Sequence, residues 1–230
     1  MGRMTAMRRV QVFDVNETLL DLAAMDAHFE RVFGAAALRA TWFAQMIQSA
    51  LVATVTGSYS QFGAHAVAAL GMLAEQTGVQ LHDDDRDAIA GQLRRLPAHP
   101  EVPGALRRLR GAGFRLAALT NSTLEVARAQ LEHAGLVDLF DEVLSADVVH
   151  RLKPAAEPYR MAAERLGVDV GEVRLVAAHA WDVAGALRAG CAAAFVARPG
   201  KVLDPLVERP DVVGADLAEV ADRIIATDAA

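Results

Sequence analysis

The sequence predicts an α/β protein: a Rossmann-like parallel sheet domain with a helical cap inserted after the first strand. Three observations predict it. A short apolar, β-prone run, Val10–Phe13, ends at Asp14 and reads as a strand followed by a loop. From about Leu22 to Leu96 no strand run occurs, and Ala-, Leu- and Gln-rich stretches recur at helical spacing instead. Beyond Pro103, strand-like and helix-like segments alternate, the pattern of parallel βαβ units with right-handed crossovers. The first strand thus finds its partners only after the helical block. This divides the chain into a core of residues 1–20 and 98–230 and a cap of residues 21–97.

The elements follow in order. Gly57-Ser58 and Gly78 interrupt the helical block. Asp83-Asp84-Asp85 reads as a helix N-cap whose charge complements the dipole. Pro97, Pro100 and Pro103 end the block and restart the chain. Ala105–Gly111 is then helical, Arg115–Leu119 a strand, Leu124–Ala134 a helix stopped by Gly135, and Glu142–Ser145 a short strand. Pro158–Leu166 is a helix, Val173–Ala177 a strand, Val183–Ala189 a helix stopped by Gly190, and Ala193–Val196 a strand.

Composition narrows the function classes. With 230 residues, 53% hydrophobic and 23% charged, the chain can bury a main core and a small accessory one. The formal net charge of -6 opposes binding to nucleic acid or an anionic membrane, while leaving room for a locally positive pocket. Cys191, the single cysteine, cannot form an internal disulfide and lies in an apolar setting, so it reads as a buried small residue. Met1–Arg9 carries three arginines and no apolar run, so no signal peptide is read there, and no stretch has the length of a membrane span. The expectation is a cytoplasmic protein, with an apolar composition that suits a homodimer.

Ligands of open parallel sheets bind beyond the carboxyl ends of the strands. Four such ends carry polar groups: Asp14-Val15-Asn16-Glu17-Thr18, Thr120-Asn121-Ser122, Lys153-Pro154 and His179-Ala180-Trp181-Asp182. A carboxylate such as Asp14 can attack an electrophilic centre and form an ester, splitting one hard displacement into two easier ones. Thr18 can hold the nucleophile loop through its hydroxyl. Thr120 and Asn121 can donate to a substrate carboxylate or to Asp14. Lys153 can orient Asp14 and keep it ionised. Asp182 can position or activate water.

In this order and spacing the four segments resemble the four motifs of the haloacid dehalogenase superfamily. The chain is most similar to the type II, (S)-2-haloacid dehalogenases. Glu101-Val102-Pro103, Lys153-Pro154 followed by Tyr159, and Ala180-Trp181-Asp182 before Gly185-Ala186 carry that likeness, which runs from about Val10 to about Arg198. The resemblance implies a hydrolytic dehalogenase acting on a small 2-haloalkanoic acid through an Asp14 ester, with no metal or other cofactor.

The departures matter as much. Phosphatases of the superfamily usually carry a second Asp two residues after the nucleophile and a further carboxylate four before the last Asp. Here those positions are Asn16 and Ala178. An amide cannot deliver the proton an alkoxide needs, and a halide needs none. The dehalogenases usually have an arginine after the cap tryptophan, where Phe43 follows Trp42, with Arg39 nearly one turn earlier. They have Ser and Asn where Ala177 and His179 stand, and an aromatic at Asn16. His179 can hydrogen-bond the substrate or the Asp14 loop. The halide or substrate is therefore expected to be held by sheet-domain donors, namely His179, Asn121 and Trp181. The cap supplies an apolar wall from Trp42, Phe43, Tyr59 and Phe62. His28, His65, His99 and His133 lack metal-ligand spacing. A magnesium-dependent phosphatase and a catalytically silent interaction protein stand as alternatives.

Overall fold

The computed structural model describes residues 8–228. Residues 1–7, which hold most of the stretch read for a leader, and 229–230 lie outside the described residues. Six strands form one parallel sheet in the order β3-β2-β1-β4-β5-β6. They are β1 (Val10–Phe13), β2 (Leu116–Thr120), β3 (Glu142–Ser145), β4 (Val173–Ala177), β5 (Ala192–Val196) and β6 (Val212–Gly214). β1 is central, with Val12 level with Ala117 of β2 and Leu175 of β4. The chain winds outward from β1 to β3 and then crosses back to β4. The order reverses beside β1, where such sheets open a crevice at their carboxyl edge.

The strands are buried on both faces, as parallel strands covered by helices must be. Successive residues feed two core layers, because side chains alternate across a strand. Phe13, Leu116, Ala118 and Val176 meet α5 (Val102–Gly111), α6 (Leu124–His133) and α9 (Leu217–Asp228). Val10, Val12, Ala117, Leu119 and Leu175 meet α7 (Ala156–Leu166) and α8 (Ala180–Ala189).

Between β1 and α5 lie four helices, α1 (Asp26–Phe33), α2 (Leu38–Thr56), α3 (Phe62–Thr77) and α4 (Asp83–Leu93). They pack around Phe29, Trp42, Met46, Phe62 and Leu73. The chain leaves the sheet at Leu20 and returns at Ala98, and these two residues form an antiparallel bridge. The bonds Asp21 N–H to Pro97 O, 2.8 Å, and His99 N–H to Leu19 O, 3.0 Å, tie the two crossings together. Gly57 and Gly78 end α2 and α3 in the left-handed conformation that a side chain would oppose.

Four sequence expectations need correction. β2 ends at Thr120, one residue later than expected, so Thr120 belongs to the strand itself. α8 begins at Ala180 and not Val183, which puts Asp182 in its first turn. Asp83, Asp84 and Asp85 occupy the first turn of α4, and its N-cap is His82. Their charges still face the positive end of the dipole. Finally, β6 and α9 were not anticipated. β6 has only three residues, too few to show a period.

Candidate active site

Asp14 leaves the end of β1 with its backbone N–H bonded to Val176 O at 3.0 Å, so β4 fixes where the side chain begins. Its carboxylate is almost enclosed and each oxygen is engaged. Lys153 Nζ donates to Oδ1 at 2.8 Å. The Thr18 hydroxyl donates to Oδ2 at 2.7 Å, and His179 Nδ1 approaches the same oxygen at 3.1 Å. Thr18 also accepts the Ala178 N–H at 2.9 Å, joining the loop after β1 to the loop after β4. Its carbonyl receives two bonds from Arg198, at 3.0 and 2.6 Å.

Lys153 is placed by Asn121, whose Oδ1 accepts the Lys153 backbone N–H at 2.7 Å. Its ammonium bonds Asp14, Asp182 Oδ2 at 2.6 Å and the Leu119 carbonyl at 3.0 Å. The Tyr159 hydroxyl fills the other Asp182 oxygen at 2.5 Å. Burial alone would push the Asp14 carboxyl up, but Lys153 and His179 outweigh it and hold the group well below the usual carboxylate range. Lys153 is held above the usual lysine value against burial by the same two carboxylates. Burial pushes Asp182 up, and the charge of Asp14 adds to this against the pull of Lys153.

His179 stands between two carboxylates. Its Nε2 lies 2.9 Å from Glu17 Oε2. Phe43 and Trp181 stack on its ring at centroid distances of 5.7 and 5.2 Å. Burial lowers its pKa, but the hydrogen bonds and charges of Asp14 and Glu17 raise it to about 9. Glu17 in turn receives Lys201 Nζ at 2.5 Å and lies 3.9 Å from Arg39 Nη1. Burial raises Glu17, yet His179 and Lys201 bring it down to about 2. Its backbone takes a left-handed φ of 61°, a conformation uncommon outside glycine.

A tight cleft of about 10 Å³, room for about one water molecule, sits over Asp14. Asn16, Thr120, Asn121 and Lys153 form its polar side, and Phe43, Ile47, Phe62 and Trp181 its apolar side, with His179 between. Of the residues expected at the site, the fold brings together Asp14, Asn16, Thr18, Phe43, Phe62, Thr120, Asn121, Lys153, His179, Trp181 and Asp182. Tyr59 lies elsewhere: it bonds Asp147 and stacks on His150 with centroids 4.8 Å apart. Trp42 is core, its indole N–H bonded to Ala66 O at 2.9 Å.

Several expected contacts are different in kind. Asn121 spends its amide on the backbone of Lys153, and Thr120 Oγ1 accepts the Ser122 N–H at 3.2 Å. Neither bonds Asp14. Both nitrogens of His179 face carboxylates, so it has no N–H left for a halide. Asp182 is fully buried and does not line the cleft. Among the described residues, the cleft donors without a protein acceptor include Asn16 Nδ2, the Thr120 hydroxyl and Trp181 Nε1. The Asn16 Oδ1 accepts from Gln130 at 3.1 Å, which turns its NH2 group away from that contact. Glu17, Ile47, Tyr159 and Lys201 were not assigned to the site. Glu17 and Lys201 carried a usable signal, since both follow strand ends, β1 and β5.

The chain is similar in sequence and in fold to known proteins. The family described as haloacid dehalogenase-like hydrolase matches residues 9–190. The chain is 32% identical to (S)-2-haloacid dehalogenase 1 of Pseudomonas sp. (strain CBS-3), over 77% of this chain and 79% of that one. It is 29% identical to the (S)-2-haloacid dehalogenase of Pseudomonas sp. (strain YL), over 86% and 87%. The structure of L-2-haloacid dehalogenase from Xanthobacter autotrophicus with chloropropionic acid covalently bound superposes with a TM-score of 0.88, at 25% identity, covering 95% of this chain and 98% of that one. The chain belongs to the haloacid dehalogenase-like hydrolase family.

Proposed function

We propose that this protein hydrolyses the carbon–halogen bond of a small 2-haloalkanoic acid through an ester on Asp14. One observation carries the reading: an ionised Asp14 at the floor of a small, half-apolar cleft, with the Lys153 ammonium lodged between it and Asp182. An Asp14 oxygen attacks C2, the carbon–halogen bond breaks, and the halide leaves with the bonding pair. No proton is needed by that leaving group, which suits Asn16. The ammonium lies between the two carboxylates and supplies positive charge beside Asp14.

Lys153 keeps Asp14 anionic and aimed, Thr18 fixes its loop, and Asp182 with Tyr159 hold Lys153. Asn16 and Thr120 are the donors on hand for the substrate carboxylate, and Trp181 for the halide. Phe43, Ile47 and Phe62 wall the alkyl group, and residues 21–97 act as the cap that closes over it. Among the described residues no helix is long and apolar enough to cross a membrane. A cytoplasmic setting is supported by the free, buried thiol of Cys191. A homodimer is supported by Val52 and Val55, exposed on α2.

The test is halide and phosphate release from a panel of 2-haloacids and phosphomonoesters, with and without magnesium. Halide release without metal, with heavy oxygen from solvent entering Asp14 before the product, is the expected result. Phosphate release restored by magnesium would replace the reading, and solvent oxygen entering the product in the first turnover would end the ester mechanism.

A further inference from the structure

The ester formed on Asp14 must be opened by water, and that water needs a base. Asp182 is poorly placed to be one. It is sealed from the cleft, and its oxygens are taken by Lys153 at 2.6 Å and Tyr159 at 2.5 Å. His179 is the other candidate. It borders the cleft, its Nδ1 lies 3.1 Å from Asp14 Oδ2, and its ring is clamped between Phe43 and Trp181. Its far nitrogen is anchored on Glu17.

Resting on the ester mechanism above, we propose that His179 and Glu17 form the base dyad of the second half-reaction: His179 Nδ1 takes the proton of the water that attacks the Asp14 ester carbonyl, and Glu17 holds Nε2–H. His179 touches the reacting group and is catalytic in this sense, while Glu17 is a positioning residue. A carboxylate on one imidazole nitrogen fixes the tautomer and leaves the lone pair on the other.

The charges around His179 explain how one residue serves both halves. Asp14 and Glu17 face it from the loop after β1. Lys153 stands on the other oxygen of Asp14, with Asp182 of α8 behind it. Lys201 from the loop after β5 and Arg39 from α2 stand behind Glu17. While Asp14 is a carboxylate, the imidazole is flanked by two anions and stays protonated. Esterification removes the charge of Asp14. One of the two groups that raise His179 is gone, and the ring can release its proton. An outer groove of about 440 Å³ offers the way out and the water's way in. Phe43, Ile47, His179 and Trp181 border both it and the cleft, and Glu17 and Lys201 border the groove but not the cleft.

The protons balance. Alkylation gives Asp14 ester, halide and an imidazolium, which loses its proton to solvent. Water then gives a proton to Nδ1 as its oxygen adds to the ester carbonyl. Collapse breaks the bond between that carbonyl and the product oxygen. The departing alkoxide takes the proton of the newly formed carboxyl group. The 2-hydroxy acid leaves, with Asp14 anionic and His179 protonated again. The sum is haloacid plus water giving hydroxy acid, halide and one proton.

Rapid mixing with 2-chloropropionate tests the dyad, reading halide release and the mass of the Asp14 peptide. His179→Gln is expected to release about one halide per site and then stall with the ester retained, its hydrolysis slowed about 10²-fold. Glu17→Gln is expected to slow hydrolysis about 10-fold, the worth of one hydrogen bond to a charged group. It should also move the pH midpoint of that step downward, because the imidazole loses an anionic partner. A merely structural role would slow both steps and leave the midpoint in place, and that outcome overturns the proposal. So does a His179→Gln enzyme that never accumulates ester. If that variant fails to fold, the wild-type ester decides: its hydrolysis must rise with pH through one titration below about 9 and slow in heavy water. A flat profile overturns the dyad. No halide from wild type overturns the function itself, a result distinguishable from failure of the dyad alone.

Discussion

Lys153 and Asp182 form an ion pair closed to solvent, with Nζ 2.6 Å from Oδ2 and side-chain exposures of 1% and 0%. The ammonium gives its other hydrogens to Asp14 and the Leu119 carbonyl, so its three donors are all used. Such an arrangement is expensive to bury and more damaging to break from one side, because the partners left behind remain charged and dry.

Lys153→Met should therefore destabilise the fold by about 3–5 kcal/mol, the usual cost of orphaning a buried charge. It should also lower halide release by about 10³-fold, since Asp14 would lose the charge that keeps it ionised. Urea unfolding and halide release measure the two effects separately. A Lys153→Met enzyme with near-normal turnover would remove Lys153 from the mechanism.

Arg39 bonds Asp26 at 2.5 Å and stands 3.9 Å from Glu17. It borders a pocket on the far side of Glu17 and not the cleft over Asp14. Part-exposed ion pairs of this kind are worth about 0–1 kcal/mol, so Arg39→Ala should change turnover less than about fivefold. A loss of hundredfold or more would show that the guanidinium reaches the substrate when it binds.

Gly185 of α8 has no room for a side chain. A Cβ there would lie 2.5 Å from Pro154 Cβ and 2.7 Å from the Tyr159 hydroxyl. Gly185→Ala should cost about 1–3 kcal/mol by overpacking. It should also depress turnover, because the groups displaced are those that position Lys153 and Asp182. Thermal melting together with halide release checks this. A variant as stable and as active as wild type would mean that the helix and the Lys153 loop can separate freely.

Stability should depend on pH at both ends. His179 is raised in the fold to about 9 from 6.5, so its contribution is complete below about 6.5 and is lost as pH rises through 9. Glu17 is lowered to about 2 from 4.5, so its contribution is complete above about 4.5 and is lost as pH falls toward 2. Asp14, also lowered, adds to the acid side. The urea midpoint should be highest between about pH 5 and 7. In His179→Gln the alkaline decline should shrink, and an unchanged decline would show that other groups cause it.

Much of the site was legible before the fold. The rule that ligands gather at the carboxyl ends of parallel strands selects Asp14, Thr120, Lys153 and the His179–Asp182 segment, because strand ends show in the sequence as apolar runs meeting polar residues. Trp42 and Phe43 are adjacent in the sequence and have different surroundings, one in the core against Ala66 and the other against His179. Tyr59 matched an expected wall position yet bonds Asp147, since it lies in the loop between α2 and α3 and local pattern does not reveal which part of the core such a loop meets.

The sequence by itself determined the first five strands, the inserted helical block, and Asp14 with Lys153 as the proposed centre of the chemistry. These rest on local pattern and on residue type, which a chain carries without folding. Only the tertiary structure decided that His179 bridges Asp14 and Glu17, that Lys201 backs Glu17, and that Asp182 faces Lys153 and Tyr159 rather than the cleft. Those contacts join residues 23 to 184 positions apart, and hydrogen-bond direction across such distances is fixed by packing, not by sequence spacing.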